Sequence, residues 1–428
     1  MDAHSTTCTF SSFPLSAICP KQATLAETIH YKIFDSATLV PWAEWHQYAQ
    51  SKQFFMQLSY LQGVESAQPD MKFRYVLIYD KKELVGTAYF QIVNFSVSKV
   101  KGFIQAEAAN GIWGKTKNFF SQRINSLAAY FDVNLLVCGN VFLSGEYAFT
   151  HCPNLSAQDA FQLLMKTCEH LYKMERKQQG IRGILVKDFF LTEQHPTNTF
   201  QQAGFHPFVV EPIMEMEILP EWKSFKDYQD ALSSRYRQRQ KSVEKKSSPL
   251  TTRELTVAEI EHYTPTMHRF FQSVVSKAGF NMQNPAEDYL LKVKKSLGDK
   301  VKITGYFLED EFVGFMTVVR ANEILEAHFL GYEDTTNHTY KIYQRILYDI
   351  IRTAIDEKFP TISFGRTAME IKTTVGATAH PAQLYLKLTN SLFNRLATPV
   401  MNRIKTEAWE PRHPFKHQTE NTEEHAAK

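Results

Sequence analysis

The chain writes one hairpin twice. Phe73 to Asp80 (FRYVLIYD) alternates as a strand and Leu84 to Phe95 (LVGTAYFQIVNF) as another, with Lys81, Lys82 and Glu83 as a polar turn between them. Lys302 to Leu308 (KITGYFL), the turn Glu309, Asp310, Glu311, and Phe312 to Val319 (FVGFMTVV) repeat the pattern about half a chain later, with Val85-Gly86 matched by Val313-Gly314. A length of 428 residues exceeds what one ordinary core accommodates, so the repeat predicts two domains of one plan.

The segments after the two hairpins also correspond. Ala157 to Arg176 reads as a helix leading through Gly180 into the strand Gly183 to Asp188 (GILVKD), and Tyr340 to Lys358 leads through Pro360 into Thr361 to Gly365. Each half then passes a glycine and His-Pro loop, AGFHPF around Gly204 and GATAHP around Gly376, before Ile213 to Ile218 and Gln383 to Leu388 resume an ordered pattern. The expected class is α/β (α+β), with a mixed, mostly antiparallel sheet and flanking helices in each half. Pro220 ends the first unit, giving domains over residues 29–220 and 221–408; residues 1–28 read as a loose segment and 409–428 as a flexible tail.

Composition excludes several classes. With 43% hydrophobic and 13% aromatic residues the chain is folded throughout most of its length, and a net charge of +3 leaves a polyanion site only as a local cluster. Five cysteines, odd in number and with no C-x-x-C spacing, fit a reducing, cytoplasmic compartment. The first twenty residues lack the basic start of a signal peptide, and no apolar run is long enough to span a bilayer, so membrane contact is expected only peripherally, at the inner face. No Cys/His spacing suits a metal, and Walker, G-x-G-x-x-G and G-x-S-x-G patterns are absent.

The segment VKITGYFLEDEFVGFMTVVRANEILEAHFLGYE, a long helix, and TISFGRTAMEIKTTVGA together resemble the GNAT acyltransferase superfamily. Over roughly residues 30 to 400 the chain is similar to its tandem form, the Fem-like and FemAB-like N-acyltransferases. The resemblance implies that Ile324 to Tyr332 splays from its neighbour and that its freed backbone N–H groups hold the carbonyl of an acyl thioester. The superfamily's Q/R-x-x-G-x-G/A pyrophosphate signature would come next. Here Tyr332 to Tyr343 (YEDTTNHTYKIY) stands in its place, with no glycine to let backbone wrap a phosphate. FemAB-like proteins also carry a loop after the last parallel strand with Glu and Lys two apart; Gly365, Glu370 and Lys372 match it, and Arg366 and Met369 depart from it.

Amine acylation needs a base, oxyanion donors and exclusion of water. Glu326 and His328, two apart on one strand, share a face and suit a proton relay, or else a solvated strand face. Tyr332, Tyr340 and Tyr343 flank the strand-to-helix junction; the Tyr343 phenol suits a general acid for a thiolate, although Tyr340, Tyr343, Leu347 and Ile351 also follow core spacing. Arg366 or Lys372 suits a phosphate or carboxylate, with Glu370 orienting Lys372 or accepting an amine; the alternative is a solvated loop. Ser233 to Lys246 continues a helix begun at Ser224 and carries Arg235, Arg237, Arg239 and Lys241, a site for a phosphorylated partner if not simply a solvated face.

The expectation is an N-acyltransferase whose second domain moves an acyl group from acyl-CoA or an acyl carrier protein thioester to a primary amine, with no tightly bound cofactor and no metal. An envelope lipid or amino-sugar precursor as acceptor is implied by the resemblance alone. Two alternatives stand beside it. One is a Fem-type aminoacyltransferase using aminoacyl-tRNA, and the other a non-catalytic protein that binds a carrier protein or membrane surface.

Overall fold

The computed structural model describes residues 29–48, 53–96, 132–191, 197–277, 283–391, 394 and 409–416. The first half contains β1 (Ile29–Phe34), α1 (Leu58–Ala67), β2 (Lys72–Asp80), β3 (Glu83–Ser96), β4 (Asp132–Cys138), β5 (Phe149–His151), α2 (Ala157–Glu175), β6 (Ile181–Phe190) and β7 (His206–Val209). The first half ends with β8 (Ile213–Glu217), and the second contains α3 (Phe225–Ala231), α4 (Ser234–Lys246), β9 (Leu250–Glu254), α5 (Val257–Val275), α6 (Tyr289–Leu297), β10 (Val301–Leu308), β11 (Glu311–Ala321), β12 (Ile324–Tyr332), α7 (Asp334–Tyr340), α8 (Ile342–Asp356), β13 (Thr361–Ser363), α9 (Met369–Thr373), β14 (Thr378–His380) and β15 (Ala382–Leu388).

The two sheets have one strand order. The first runs β1-β2-β3-β4-β6-β15-β7 with β5 also beside β3, and the second runs β9-β10-β11-β12-β13-β8-β14. The repeated hairpins are β2–β3 and β10–β11, and the matched glycines sit alike: a Cβ on Gly86 would meet the Thr150 carbonyl at 2.8 Å and one on Gly314 the Gly331 carbonyl at 3.2 Å. Among the described strands only β4–β6 and β12–β13 pair in parallel.

One expectation fails in an informative way. Ile213–Glu217 does not finish the first sheet, and Ala382–Leu388 does not finish the second. β8 lies between β13 and β14, and β15 lies between β6 and β7. The division at 220/221 therefore does not follow the sheets, each of which is completed by a strand from the other half. Both strands are mostly buried, so their patterns announce a strand without naming its partner.

The halves also meet where α1 packs on α6, closely enough that a Cβ on Gly63 would stand 3.0 Å from Ser296. One buried core runs from Trp45, Phe55 and Tyr75 through this contact to Tyr289, Phe271 and Phe315; a second lies between the second sheet and α3 and α8. Residues 409–416 are docked, not a flexible tail. The Phe415 ring stands 5.5 Å from Trp222 and would contact a Cβ at Gly376 (φ 110°), and Ser233 N–H donates to the Pro414 carbonyl at 2.8 Å. Residues 1–28 and 417–428 lie outside the described residues. Cys138 and Cys168 are buried free thiols, whereas Cys152 is disulfide-bonded. Among the described residues no helix is long and apolar enough to cross a membrane.

Candidate active site

The site begins as a fault in strand pairing. Against β11, β12 shifts register between Met316 and Val318, so that Thr317 faces both His328 and Phe329 across a bulge. Against β13 it pairs at only three positions, Ile324–Thr361, Leu325–Ile362 and Glu326–Ser363. Past Glu326 the parallel strands part and a cleft of about 520 Å³ opens. Phe271, His328, Tyr343, Phe364 and Lys372 line it, and Val141 to Ser144 of the first half form its far wall.

Glu326 occupies the last paired position and is 3% exposed; its Oε2 has no hydrogen-bond partner. Burial pushes its carboxyl up to about 8, with Glu215 adding to the rise and Ser363 and Lys372 opposing it. Such a carboxyl exchanges a proton with an amine near neutral pH. His328 stands on the same face, as its spacing requires. Its Nε2 lies 3.0 Å from the Tyr289 hydroxyl on α6, its Nδ1 is buried without a partner, and burial pulls it down to about 3. The imidazole is therefore neutral at physiological pH and faces the cleft as a hydrogen-bonding group.

Lys372 on α9 points all three ammonium hydrogens into its own loop, at the carbonyls of Phe364 (2.7 Å), Arg366 (2.6 Å) and Gly365 (3.4 Å). Burial lowers it to about 7, against the charges of Glu326 and Glu211. It clasps the loop beside Glu326 and is not free to grip a phosphate. Arg366 is likewise committed: it donates to Asp188 of β6 at 2.5 Å and to the Glu211 carbonyl. Asp188 is 1% exposed, adopts φ 66°, and also pairs with Lys187 at 2.5 Å. Glu370 faces away from the cleft and pairs with Arg412 of the docked C-terminal segment, so it neither orients Lys372 nor meets an amine there.

Tyr332 and Tyr343 both line the cleft, with ring centroids 6.1 Å apart. Burial, with Tyr332 close by, holds the Tyr343 phenol well above its ordinary pKa. Tyr340 packs against the second core outside the cleft. At the α7–α8 junction Lys341 takes a left-handed turn (φ 57°) where a glycine would be usual, and Asn337 Oδ1 accepts the Tyr343 N–H at 2.9 Å. One N–H of the helix start is thus already occupied by the chain itself.

On α4, Arg235, Arg239 and Lys241 are exposed on a helix packed against α7 and α8, outside the cleft. Arg237 instead donates to the carbonyls of Gln229, Asp230 and Leu232, closing the end of α3, so it drops out of the expected anion cluster. No group of His, Cys, Asp and Glu among the described residues suits a metal ion. Tyr289, Ser363, Asp188 and Glu215 were missed from sequence. Only Asp188 left a signal there, as a charged pair with Lys187 ending the apolar run GILV.

Residues 233–373 match the family model described as an acetyltransferase (GNAT) domain. No curated protein matches the chain. Among solved structures it is similar to FemX, with 10% identity over 78% of this chain and 92% of that one and a TM-score of 0.47. It is also similar to a tandem GNAT protein from the clavulanic acid biosynthesis pathway (9% identity, 85% and 99% covered, TM-score 0.46) and to a probable N-acyltransferase from Enterococcus faecalis V583 (11%, 84% and 73%, TM-score 0.40). The duplicated strand order, rather than these likenesses, carries the tandem assignment. The protein thus has two GNAT-like sheets in tandem, and residues 233–373 of its second half match an acetyltransferase (GNAT) domain.

Proposed function

We propose that the protein transfers an acyl group from a thioester donor to a primary amine, with the chemistry in the second half. The observation that carries this reading is the buried Glu326 carboxyl, whose Oε2 has no hydrogen-bond partner, at the point where β12 and β13 part. The acyl arm enters between those strands along Met316, Leu347, Ile350 and Phe364, and its carbonyl oxygen meets backbone N–H groups of β12 released from pairing. Glu326 takes a proton from the acceptor ammonium, and the free amine adds to the thioester carbon. The tetrahedral intermediate collapses with loss of the thiolate, which takes the Tyr343 proton, and the positively charged nitrogen returns a proton to the Tyr343 phenolate as the amide forms; the raised pKa keeps the phenol protonated until then. His328, held by Tyr289, hydrogen-bonds the reacting groups, and Lys372 fixes the loop.

The donor is acyl-CoA or an acyl carrier protein, bound as a co-substrate, and the acceptor class is an envelope lipid or amino-sugar precursor met in the cytoplasm or at the inner membrane face. Aminoacyl-tRNA is the second reading for the donor. It is favoured by a helix start occupied by Asn337 in place of a glycine phosphate loop, and by exposed Arg235, Arg239 and Lys241 nearby. Native mass spectrometry with acetyl-CoA, an acyl-pantetheine carrier and charged tRNA separates these donors. A complex with none of the three, together with full turnover in Glu326→Gln, would sink both.

A further inference from the structure

The first half contains a second cleft, of about 510 Å³, in the corresponding place: between β5 and the end of β6, at the start of α2. Residues 139–148 separate it from the catalytic cleft, with Val141 to Ser144 on one side and Glu146 and Ala148 on the other. Its walls are aromatic, with Phe161 and Phe189 at 5.2 Å on one side and Phe149 stacked on His151 at 5.4 Å on another.

The polar lining is rich in acceptors whose neighbouring donors are spent. Lys187 gives its hydrogens to the carbonyls of Asn140 (2.9 Å) and Leu143 (2.6 Å) and to Asp188 (2.5 Å). The Tyr48 hydroxyl donates to the Leu84 carbonyl at 2.6 Å. His151 Nδ1, 2.9 Å from the Cys152 carbonyl, must carry the hydrogen, which leaves Nε2 as an acceptor in the neutral ring. Glu146 receives only the Phe190 N–H, at 2.7 Å on Oε1, and no cation among the described residues pairs with it. Gln53 Oε1 is buried without a partner. The helix start does not invite an anion: Ser156 caps it by accepting the Asp159 N–H at 3.1 Å, and Asp159 adds a negative charge in the first turn.

We propose that this cleft binds a primary ammonium with an apolar or aromatic body, its N–H groups on Glu146 and His151 and its body against the phenylalanine rings. A carboxylate beside aromatic faces attracts a cation twice over, and three N–H groups match a lining of free acceptors. The assignment does not rest on the donor or acceptor of the proposed reaction. Burial raises the Glu146 carboxyl above its usual range, as an unpaired acid awaiting a counter-charge would be.

Calorimetric titration of the full chain with phenethylammonium chloride, and with neutral 2-phenylethanol, tests it. The ammonium should bind at least about tenfold more tightly than the alcohol, the worth of one charged hydrogen bond. Glu146→Gln, which keeps an oxygen for the Phe190 N–H and so the fold, should bring the ammonium down to the alcohol's level. Phe161→Ala should weaken both ligands, and Glu326→Gln should leave both unchanged. No binding, equal affinities, or an unaffected Glu146→Gln variant would overturn the proposal. So would loss of binding in Glu326→Gln, which would put the amine in the catalytic cleft.

Discussion

At the same place in the duplicated sheet the two halves do opposite things. In the second half β12 runs on through a one-residue bulge opposite Thr317 and separates from β13 after Glu326–Ser363. In the first half the corresponding strand is broken into β4 and β5 around Tyr89, and β4 stays paired with β6 through Cys138–Val186. The intervening residues 139–148 reach out to wall the other half's cleft. One half spends its irregularity on opening a parallel pair, and the other on closing the resulting cavity from outside. Counted from the last parallel pair, Asp188 corresponds to Gly365, and both are left-handed, at φ 66° and 63°. The second half uses glycine there; the first tolerates an aspartate because Arg366, Lys187 and the Gly145 N–H hold its carboxyl.

The position of Glu326 corresponds to Cys138, which gives the sharpest way to break the comparison. Glu326→Gln should lower turnover about 10²- to 10⁴-fold, the usual contribution of a general base, while Cys138→Ala should leave it within a few-fold. Equal losses in a steady-state assay would mean that the halves share the chemistry. Next in size is Asp188→Asn. Leaving the Arg366 and Lys187 charges buried without their carboxylate should cost about 3–5 kcal/mol in urea unfolding. If the variant unfolds at the wild-type midpoint, the clamp between the halves is not what stabilises their contact.

How much of this was legible in the sequence depends on which interactions are local. The hairpins were readable because alternation and a polar turn lie within a few residues of one another, and Glu326 and His328 were readable as one face because strand period needs no partner. The exchange of β8 and β15 was not, since a buried strand pattern fits either sheet. His328 looked like a titrating group until α6 brought Tyr289 against it and the core closed around it. Arg366, Glu370 and Lys372 looked alike as loop charges. Their separate fates were set by Asp188 in the other half, by Arg412 in the C-terminal segment and by three carbonyls within the loop.

The buried carboxyl also predicts a stability cost confined to one half. The folded-state pKa of Glu326, about 8, lies above its ordinary 4.5, so folding favours the protonated form. Its contribution is fully present below pH 4.5 and is lost as pH rises toward and through 8. Glu326→Gln should therefore gain on wild type by on the order of a few kcal/mol between pH 5 and 9 in denaturant titrations. A gap that does not change with pH would show that the carboxyl is not desolvated. A smaller effect tests the left-handed pair: Gly365→Ala should cost about 1–2 kcal/mol from backbone strain alone, because a Cβ there meets nothing within 4 Å. A neutral result by thermal denaturation would mean the loop relaxes, and that Asp188 carries less strain than its φ implies.

The smallest effect belongs to Glu370, which looked functional from sequence. Glu370 and Arg412 keep side-chain exposures of 51% and 36%, where solvent screens the attraction and freezing two long side chains costs entropy. Glu370→Ala should change unfolding free energy by less than about 1 kcal/mol and leave turnover unaltered. The Thr373 hydroxyl still receives the Arg412 N–H, and Phe415 still fills the space over Gly376, so the C-terminal segment keeps its seat without the ion pair. A tenfold drop in turnover would place Glu370 back in the catalytic loop's mechanism, and would require the C-terminal segment to leave α9 when substrate binds.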